Sequence, residues 1–380
     1  MKKAGIARSY SLVAFLILIL IQLSCGLPAQ AITTPSSGTN DLVPSVPVSS
    51  IPYPLGATPT PARDWIQVYF TDPTAVHAKD YESGPDEVLA AALDRARLSV
   101  DVAAYSLNLW SIRDALINAH KRGVVVRMVM ESDDMENQEV QQIMDAGIPI
   151  IGDHQQGLMH NKFMIIDHLD VWTGSMNYTT SGVYKDNNNL LYIHSSQIAE
   201  YYTNEFEQMF NYHLFGPEKI AGTPNPLISI AGTTVEIYFS PEDKAAERII
   251  KLIQEAQASI NFLAYSFTSK DIGETMMGQA RSGVVVTGVM DNGQVKTSQT
   301  TEYAPFLKAG LDVRLDGNQT GLMHHKVIII DQQIVITGSY NFTASAETTN
   351  DENVVIIFSP EVAAKYMEEF QRIFGQAQQP

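Results

Sequence analysis

The second half of this chain repeats the first, block by block and in the same order. Gln67-Val68-Tyr69-Phe70 matches Glu236-Ile237-Tyr238-Phe239, and Val102-Ala103-Ala104-Tyr105-Ser106 matches Phe262-Leu263-Ala264-Tyr265-Ser266. Gly123-Val124-Val125-Val126 matches Gly283-Val284-Val285-Val286, and Gly157-Leu158-Met159-His160 matches Gly321-Leu322-Met323-His324. The offset is 169 residues at Tyr69 and Tyr238, 160 at Tyr105 and Tyr265, and 164 at His160 and His324. Insertions therefore fall between the blocks, where loops belong. A repeat this long exceeds the ~20–50 residues of a solenoid unit and has the size of a domain. The chain is constrained to two similar domains fused in tandem, related most simply by a pseudo-two-fold axis.

Each copy alternates short apolar runs with amphipathic stretches. In the first, 65–70, 98–104 and 124–130 read as strands, and 87–96, 111–122 and 137–146 as helices. In the second, 245–256, 259–265, 272–281, 284–290 and 300–309 repeat that order. Gly147 and Gly310 follow their helices as C-cap glycines do. This alternation predicts an α/β fold of two α-β-α sandwich domains, each built on a mostly parallel sheet. Thr223-Pro224-Asn225-Pro226 marks the boundary. The expected domains are 64–222 and 233–380, joined by a linker over 223–232.

Acidic residues outnumber basic ones 42 to 25, for a formal charge of −17. A field of that sign repels polyanions, which argues against a broad basic nucleic-acid groove. The single cysteine, Cys25, excludes a disulfide framework and a Cys-ligated zinc site. It lies in a leader, 1–31, where Lys2, Lys3 and Arg8 precede an apolar run at 12–21 and Ala29-Gln30-Ala31 follows. That is the layout of a secretory signal peptide. Ten apolar residues span about 15 Å of helix, roughly half a bilayer core. A secreted or otherwise extracytoplasmic protein is expected. Leu23-Ser24-Cys25-Gly26 resembles a bacterial lipoprotein box, with Gln22 a departure from it, so anchorage through a lipid on Cys25 is the alternative. Residues 32–63, rich in Pro, Ser and Thr, read as a flexible spacer.

The best-matched block is polar where packing alone would not require it. The first copy reads His160-Asn161-Lys162, four residues, Asp167, six residues, then Gly174-Ser175-Met176-Asn177. The second reads His324-His325-Lys326, four residues, Asp331, six residues, then Gly338-Ser339-Tyr340-Asn341. The intervening Phe163-Met164-Ile165-Ile166 and Val327-Ile328-Ile329-Ile330 favour β structure, and His and Lys two apart on a strand share a face. A tight turn and a returning strand (171–173 and 334–337) bring the Gly-Ser-x-Asn end back beside them. An imidazole, an ammonium, a hydroxyl and an amide then converge, twice. Such a set suits a phosphodiester. Lys162, Lys326, Asn177 and Asn341 can hold the non-bridging oxygens. One histidine can attack phosphorus while the other protonates the leaving oxygen and then activates water. With two lysines supplying positive charge, the reading calls for no metal and no cofactor.

These residues resemble the paired HxKxxxxDxxxxxxGSxN motif of the phospholipase D superfamily, and the resemblance covers nearly everything after the spacer. Ala264-Tyr265-Ser266-Phe267-Thr268 and Asn350-Asp351-Glu352-Asn353 are similar to its bacterial endonuclease and mitochondrial cardiolipin-hydrolase branch. The resemblance implies the phospholipase D fold with one active site between the two domains, and a covalent phosphohistidine. It implies His160 as nucleophile and His324 as acid/base, although the near-symmetric motifs do not themselves decide which. Asp167 and Asp331 are expected to be structural, and Ser175 and Ser339 to position phosphate or a histidine. Glu352 takes the place of a carboxylate that orients a histidine; its counterpart at the 164 offset is Asn188. If Glu352 reaches His324, it raises that imidazole's pKa and makes it the better acid. Tyr105 and Tyr265 are pocket-lining or packing residues, and His325, opposite Asn161, is expected to play no direct part. Beyond Lys162 and Lys326, only Lys185 and Arg314 offer positive charge near the motifs. The expected substrate is a phospholipid headgroup diester at a membrane surface, with a nucleic acid as the alternative partner. A catalytically idle phosphate-binding surface protein is the third reading. Since one chain completes one site, a monomer is expected.

Overall fold

The computed structural model describes residues 65–223 and 225–378; the expected leader and spacer lie outside the described residues. The first lobe contributes β1 (Ile66–Phe70), β2 (Ser99–Ala104), β3 (Val125–Met130), β4 (Ile150–Gly152), β5 (Lys162–Ile166), β6 (Asp170–Gly174) and β7 (Asn189–His194). They form one sheet in the order β1-β7-β6-β5-β2-β3-β4. The second lobe contributes β8 (Leu227–Ile230), β9 (Thr233–Ser240), β10 (Ser259–Ala264), β11 (Val285–Met290), β12 (Asp312–Leu315), β13 (Lys326–Ile330), β14 (Ile334–Gly338) and β15 (Glu352–Phe358). Their order, β12-β11-β10-β13-β14-β15-β9-β8, repeats the first with one added edge strand. That strand, β8, lies within the stretch expected to be a plain linker.

The sheets are mixed rather than mostly parallel. Only β2-β3-β4 and β10-β11-β12 run parallel; every other pairing is antiparallel. The reason is local. The motif carries its own tight turn, and a strand that returns after three residues can pair only antiparallel. In β5–β6 the turn residues Asp167 and His168 have φ of 54° and 55°, and in β13–β14 Asp331 and Gln332 have 52° and 55°. Two consecutive left-handed residues make the type I′ turn that suits a twisted hairpin.

Each sheet is covered on both faces. Along β5, Phe163 and Ile165 face a central core, whereas Met164 and Ile166 face an outer one. In β13 the same alternation sends Val327 and Ile329 inward and Ile328 and Ile330 outward. The period of two thus buries both faces of the motif strand. Each fully buried side chain of this size contributes about 1.5–3 kcal/mol. Helices Pro85–Arg95 and Trp110–Lys121 close the first lobe's outer core through Leu89, Leu93, Ile112 and Leu116. Helices Ser196–Phe210 and Pro360–Gln376 lie inside, filling a single core shared by both sheets with Ile198, Tyr202, Phe206, Tyr366 and Phe370. The two lobes therefore fold as α-β-α sandwiches on one hydrophobic interior. Across that shared interior β6 and β14 approach each other. Among the described residues no helix is long and apolar enough to cross a membrane.

Candidate active site

His160 and His324 stand just before β5 and β13, at the seam between the lobes. The backbone N–H of His160 donates to the Asp351 carbonyl at 3.0 Å, and that of His324 to the Asn187 carbonyl at 2.9 Å. Isolated bridges Met159–Asp351 and Asn187–Met323 complete this stitching. Each histidine is thus held by the other lobe. Behind them Thr173 donates to Asn353 Oδ1 at 2.8 Å and Thr337 to Asn189 Oδ1 at 3.1 Å, two further pseudo-equivalent links across the seam.

The partners of the two imidazoles differ. His160 Nδ1 lies 2.8 and 2.9 Å from the carboxylate oxygens of Glu352, which is wholly buried. His324 Nδ1 lies 2.9 Å from Asn188 Oδ1 and 3.1 Å from the Ser175 carbonyl. The expectation that Glu352 serves His324 is therefore corrected: it reaches across the seam to His160, and Asn188 reaches across to His324. Strands β7 and β15 run antiparallel to β6 and β14, and their first residues project over the pseudo-axis into the opposite lobe. Ser175 and Ser339 support these partners. Ser175 Oγ donates to Asn188 Oδ1 at 2.8 Å, and Ser339 hydrogen-bonds Glu352. With acceptors on Nδ1, both rings present Nε2 as their free edge.

Lys162 and Lys326 are 1% and 2% exposed, and each donates to the carbonyl of its own histidine, at 2.6 and 2.9 Å. Each ammonium also lies over a tyrosine ring, Tyr105 at 4.9 Å and Tyr265 at 5.0 Å. The same tyrosines pack on His160 and His324, with ring centroids 4.9 and 4.7 Å apart. The tyrosines line the site. Burial pushes Lys162 down to about 7, with Glu352 opposing, and pushes Lys326 well below the usual lysine range, reinforced by Lys162. Burial, with the two lysines adding, also drives both histidines well below 6.5. Glu352 is raised to about 8, again by burial, although both lysines pull it down. Glu352 faces both lysines, and Asp186 and Asp291 also act on Lys326; a pair of buried lysines beside two imidazoles suits a bound anion. The Oδ1 atoms of Asn177 and Asn341 are buried without a partner, so these amides are not spent on the protein.

Asp167 and Asp331 sit at the far end of the hairpins. Asp167 accepts from the backbone N–H groups of Arg97, Leu98 and Ser99 at 2.7–3.1 Å, and Asp331 from those of Gln257, Ala258 and Ser259 at 2.7–2.8 Å. These bonds pin each turn to the residues that open β2 and β10. His325 is buried, between Asn189 Nδ2 at 3.1 Å and Glu369 at 3.1 Å, and Asn161 repeats this between Asn353 and Glu205. Arg314 is tied to Asp312 and stacked on Phe374, and Lys185 is exposed. Sequence reading missed the acids around the pocket. Glu131 and Asp291 each accept a backbone N–H at 3.0 Å, from Met159 and Met323. Tyr105 is raised by burial and then by Asp134, Glu131 and Asp133; Tyr265 by burial and Asp291. The matched Met-acid pairs Met130-Glu131 and Met290-Asp291 were the available signal.

Two His-Lys pairs, one from each of two similar α/β lobes, thus meet at a single seam. The family model described as cardiolipin synthase, PLD-like domain, matches residues 89–210 and again 249–374. A phospholipase D of Rickettsia bellii is 33% identical over 156 residues, 40% of this chain and 77% of its own length. The mitochondrial cardiolipin hydrolase of Chlamydomonas reinhardtii is 29% identical over 136 residues, 36% of this chain and 60% of its own. Among solved structures, a phosphatidylserine synthase of Haemophilus influenzae superposes with a TM-score of 0.59 at 12% identity, over 78% of this chain and 85% of that one; this likeness concerns the fold. The chain belongs to the phospholipase D superfamily, and it is a phosphodiester hydrolase.

Proposed function

We propose that the protein hydrolyses the headgroup phosphodiester of a phospholipid, in two displacements through a phosphohistidine. In the first, the Nε2 lone pair of His160 attacks phosphorus, the bond to the leaving oxygen breaks, and His324, protonated on both nitrogens once the anionic diester offsets the two lysines, gives its Nε2 proton to that oxygen. The ring of His160 becomes cationic as the P–N bond forms. Glu352 on its Nδ1–H offsets that charge, which favours His160 as the nucleophile over His324, whose Nδ1 faces only neutral acceptors. In the second displacement His324 takes a proton from water, the hydroxide oxygen attacks phosphorus, and the P–N bond breaks. Lys162, Lys326, Asn177 and Asn341 hold the non-bridging oxygens as charge builds on them. The observation that carries the diesterase reading is the pair of buried lysines, each donating to the carbonyl of the histidine two residues before it.

For the lipid, the support is the surface around the site. Leu158 and Leu322, two residues before each histidine, remain 37% and 36% exposed, a pseudo-symmetric apolar lip. Glu131, Asp133, Asp134 and Asp291 surround the tyrosines, a setting that repels a polyanion and tolerates a zwitterion. The proposal includes export by the 1–31 leader, with the site acting at a membrane surface as a monomer. The test is a parallel assay, in chelator, of headgroup release from phosphatidylcholine vesicles and of cleavage of single- and double-stranded DNA. His160→Ala and His324→Ala are run beside it. Headgroup release abolished in both variants, with DNA intact, is the expected result. DNA cleavage without lipid turnover would replace the lipid by a nucleic acid.

A further inference from the structure

The first lobe carries nine residues more than the second between the matched tyrosines Tyr69–Tyr105 and Tyr238–Tyr265. They build a short 3₁₀ turn, Val76–Asp80, and the loop after it, which lean over the start of helix Trp110–Lys121. Beneath lies a cavity of about 320 Å³, lined among others by Tyr81, Trp110, Tyr184, Asp80, Glu82 and Asp86. No lysine or arginine lines it. Its walls belong to the loops that continue from Tyr105 and from Asn177, yet none of the histidines, lysines or asparagines of the active site reaches it.

The lining is built rather than incidental. Asp86 is buried, and its two oxygens accept from Ser111 Oγ at 2.6 Å and Tyr184 Oη at 2.8 Å, which sets the Tyr184 ring as a wall. Tyr81 packs on that ring edge-on at 5.4 Å. It does so from a left-handed backbone conformation, φ 59°, which a tyrosine adopts only where its surroundings impose it. Gly84 permits the approach: a Cβ there would stand 2.4 Å from Val183 and 2.9 Å from Tyr184. Trp110 is nonetheless 64% exposed and Tyr81 48%, large aromatic faces left open to solvent.

We propose that this pocket binds a quaternary ammonium group. Aromatic faces attract a cation through the ring quadrupole, and the carboxylates of Asp80 and Glu82 add attraction without a competing positive charge. A small hard ion does not suit it: among the described residues no group of three His, Cys, Asp or Glu could hold a metal. Each Asp86 oxygen already accepts a hydrogen bond, so the open walls of the pocket offer aromatic faces more readily than acceptors for N–H donors. A trimethylated nitrogen, which brings none, is the matching cation. The pocket begins four residues beyond Tyr105, at Leu109, and three beyond Asn177, at Thr180, and there it would hold the headgroup of a second lipid or a free trimethylammonium compound. The proposal stands independently of the diesterase reading.

The test is titration of tetramethylammonium into the wild-type protein, following tryptophan fluorescence, with sodium chloride as the control salt. Trp110 is the exposed tryptophan among the described residues, beside half-buried Trp65 and buried Trp172. Saturable quenching is expected. The midpoint concentration for ligand-induced protection against thermal unfolding is expected to rise at least tenfold with Trp110→Ala and with Asp80→Asn/Glu82→Gln, and less with Trp110→Phe. Unliganded Tm and hydrolysis of a soluble diester should stay unchanged in all three. Sedimentation of the hydrolysis-dead His160→Ala protein then separates the sources. Binding to phosphatidylcholine vesicles but not phosphatidylglycerol ones, lost on adding Trp110→Ala, assigns a lipid; saturation by the soluble ion alone assigns a free compound. A response no larger than that to sodium, or one indifferent to Trp110→Ala, would overturn the proposal.

Discussion

Replacing Glu352 by glutamine keeps the shape of the site and removes one charge from the imidazole it holds. The carboxylate lies 2.8 and 2.9 Å from His160 Nδ1, wholly out of water, so nothing screens the change. A hydrogen bond to a charged group is worth about 1.5–3 kcal/mol. If it is realised only when the His160 ring turns cationic in the transition state, its loss lowers kcat by about 10- to 150-fold at 1.36 kcal/mol per decade. KM should hold, since lysines and asparagines bind the ground state. The pH profile carries a second signature. Burial raises Glu352 to about 8 and lowers His160, so one proton is shared by the pair and leaves as pH rises toward 8. The rising limb of kcat/KM belongs to that pair and should disappear in the variant. Steady-state hydrolysis of bis(p-nitrophenyl) phosphate between pH 5 and 10 (experimental range, about five units) measures both effects. A variant within about threefold of wild type that retains the limb would refute the role given to Glu352.

Leaving-group dependence separates the histidines. With the nitrophenyl diester, whose leaving group needs little protonation, His324→Ala should release one equivalent of nitrophenol in a burst and leave a phosphoryl adduct on His160, seen by mass spectrometry; His160→Ala should give neither. Lys162→Met should abolish turnover yet raise stability at pH 7 by on the order of 2–4 kcal/mol, because the native fold depresses this lysine from 10.5 to about 7. The sign follows: Lys162 weakens the fold as pH falls from 10.5 toward 7, whereas Glu352, raised to about 8, weakens it as pH rises from 4.5 to 8. Between pH 8 and 10 wild-type Tm should therefore climb, and less so in Lys162→Met. Asp331→Ala should lower stability by about 1–2 kcal/mol through the loss of the acceptor for three backbone N–H groups, with kcat of the folded fraction unchanged. Leu158→Ser combined with Leu322→Ser should raise KM on vesicles severalfold without changing turnover of the soluble diester.

Much of this was legible in the residues. The repeat fixed the number of lobes because each block is a local pattern that needs no partner to be recognised. The motif placed His160 and Lys162, and His324 and Lys326, on paired strands because a period of two is a property of a single strand. The structural role of Asp167 and Asp331 follows from their place in the turn. The sheet direction was misread because a helix–strand alternation over the first half of each lobe was extended to its second half, where hairpins take over. The partner of each histidine was missed for a deeper reason. Glu352 and Asn188 occupy equivalent places, so the sequence by itself determined that one histidine has a carboxylate and the other an amide. Only the tertiary structure decided which, because packing both sheets on one interior carries the ends of β7 and β15 past the pseudo-axis into the opposite lobe. The burial that depresses both lysines has the same origin: an ammonium loses its water only when the second lobe closes over it, and that closure is a property of the assembled pair.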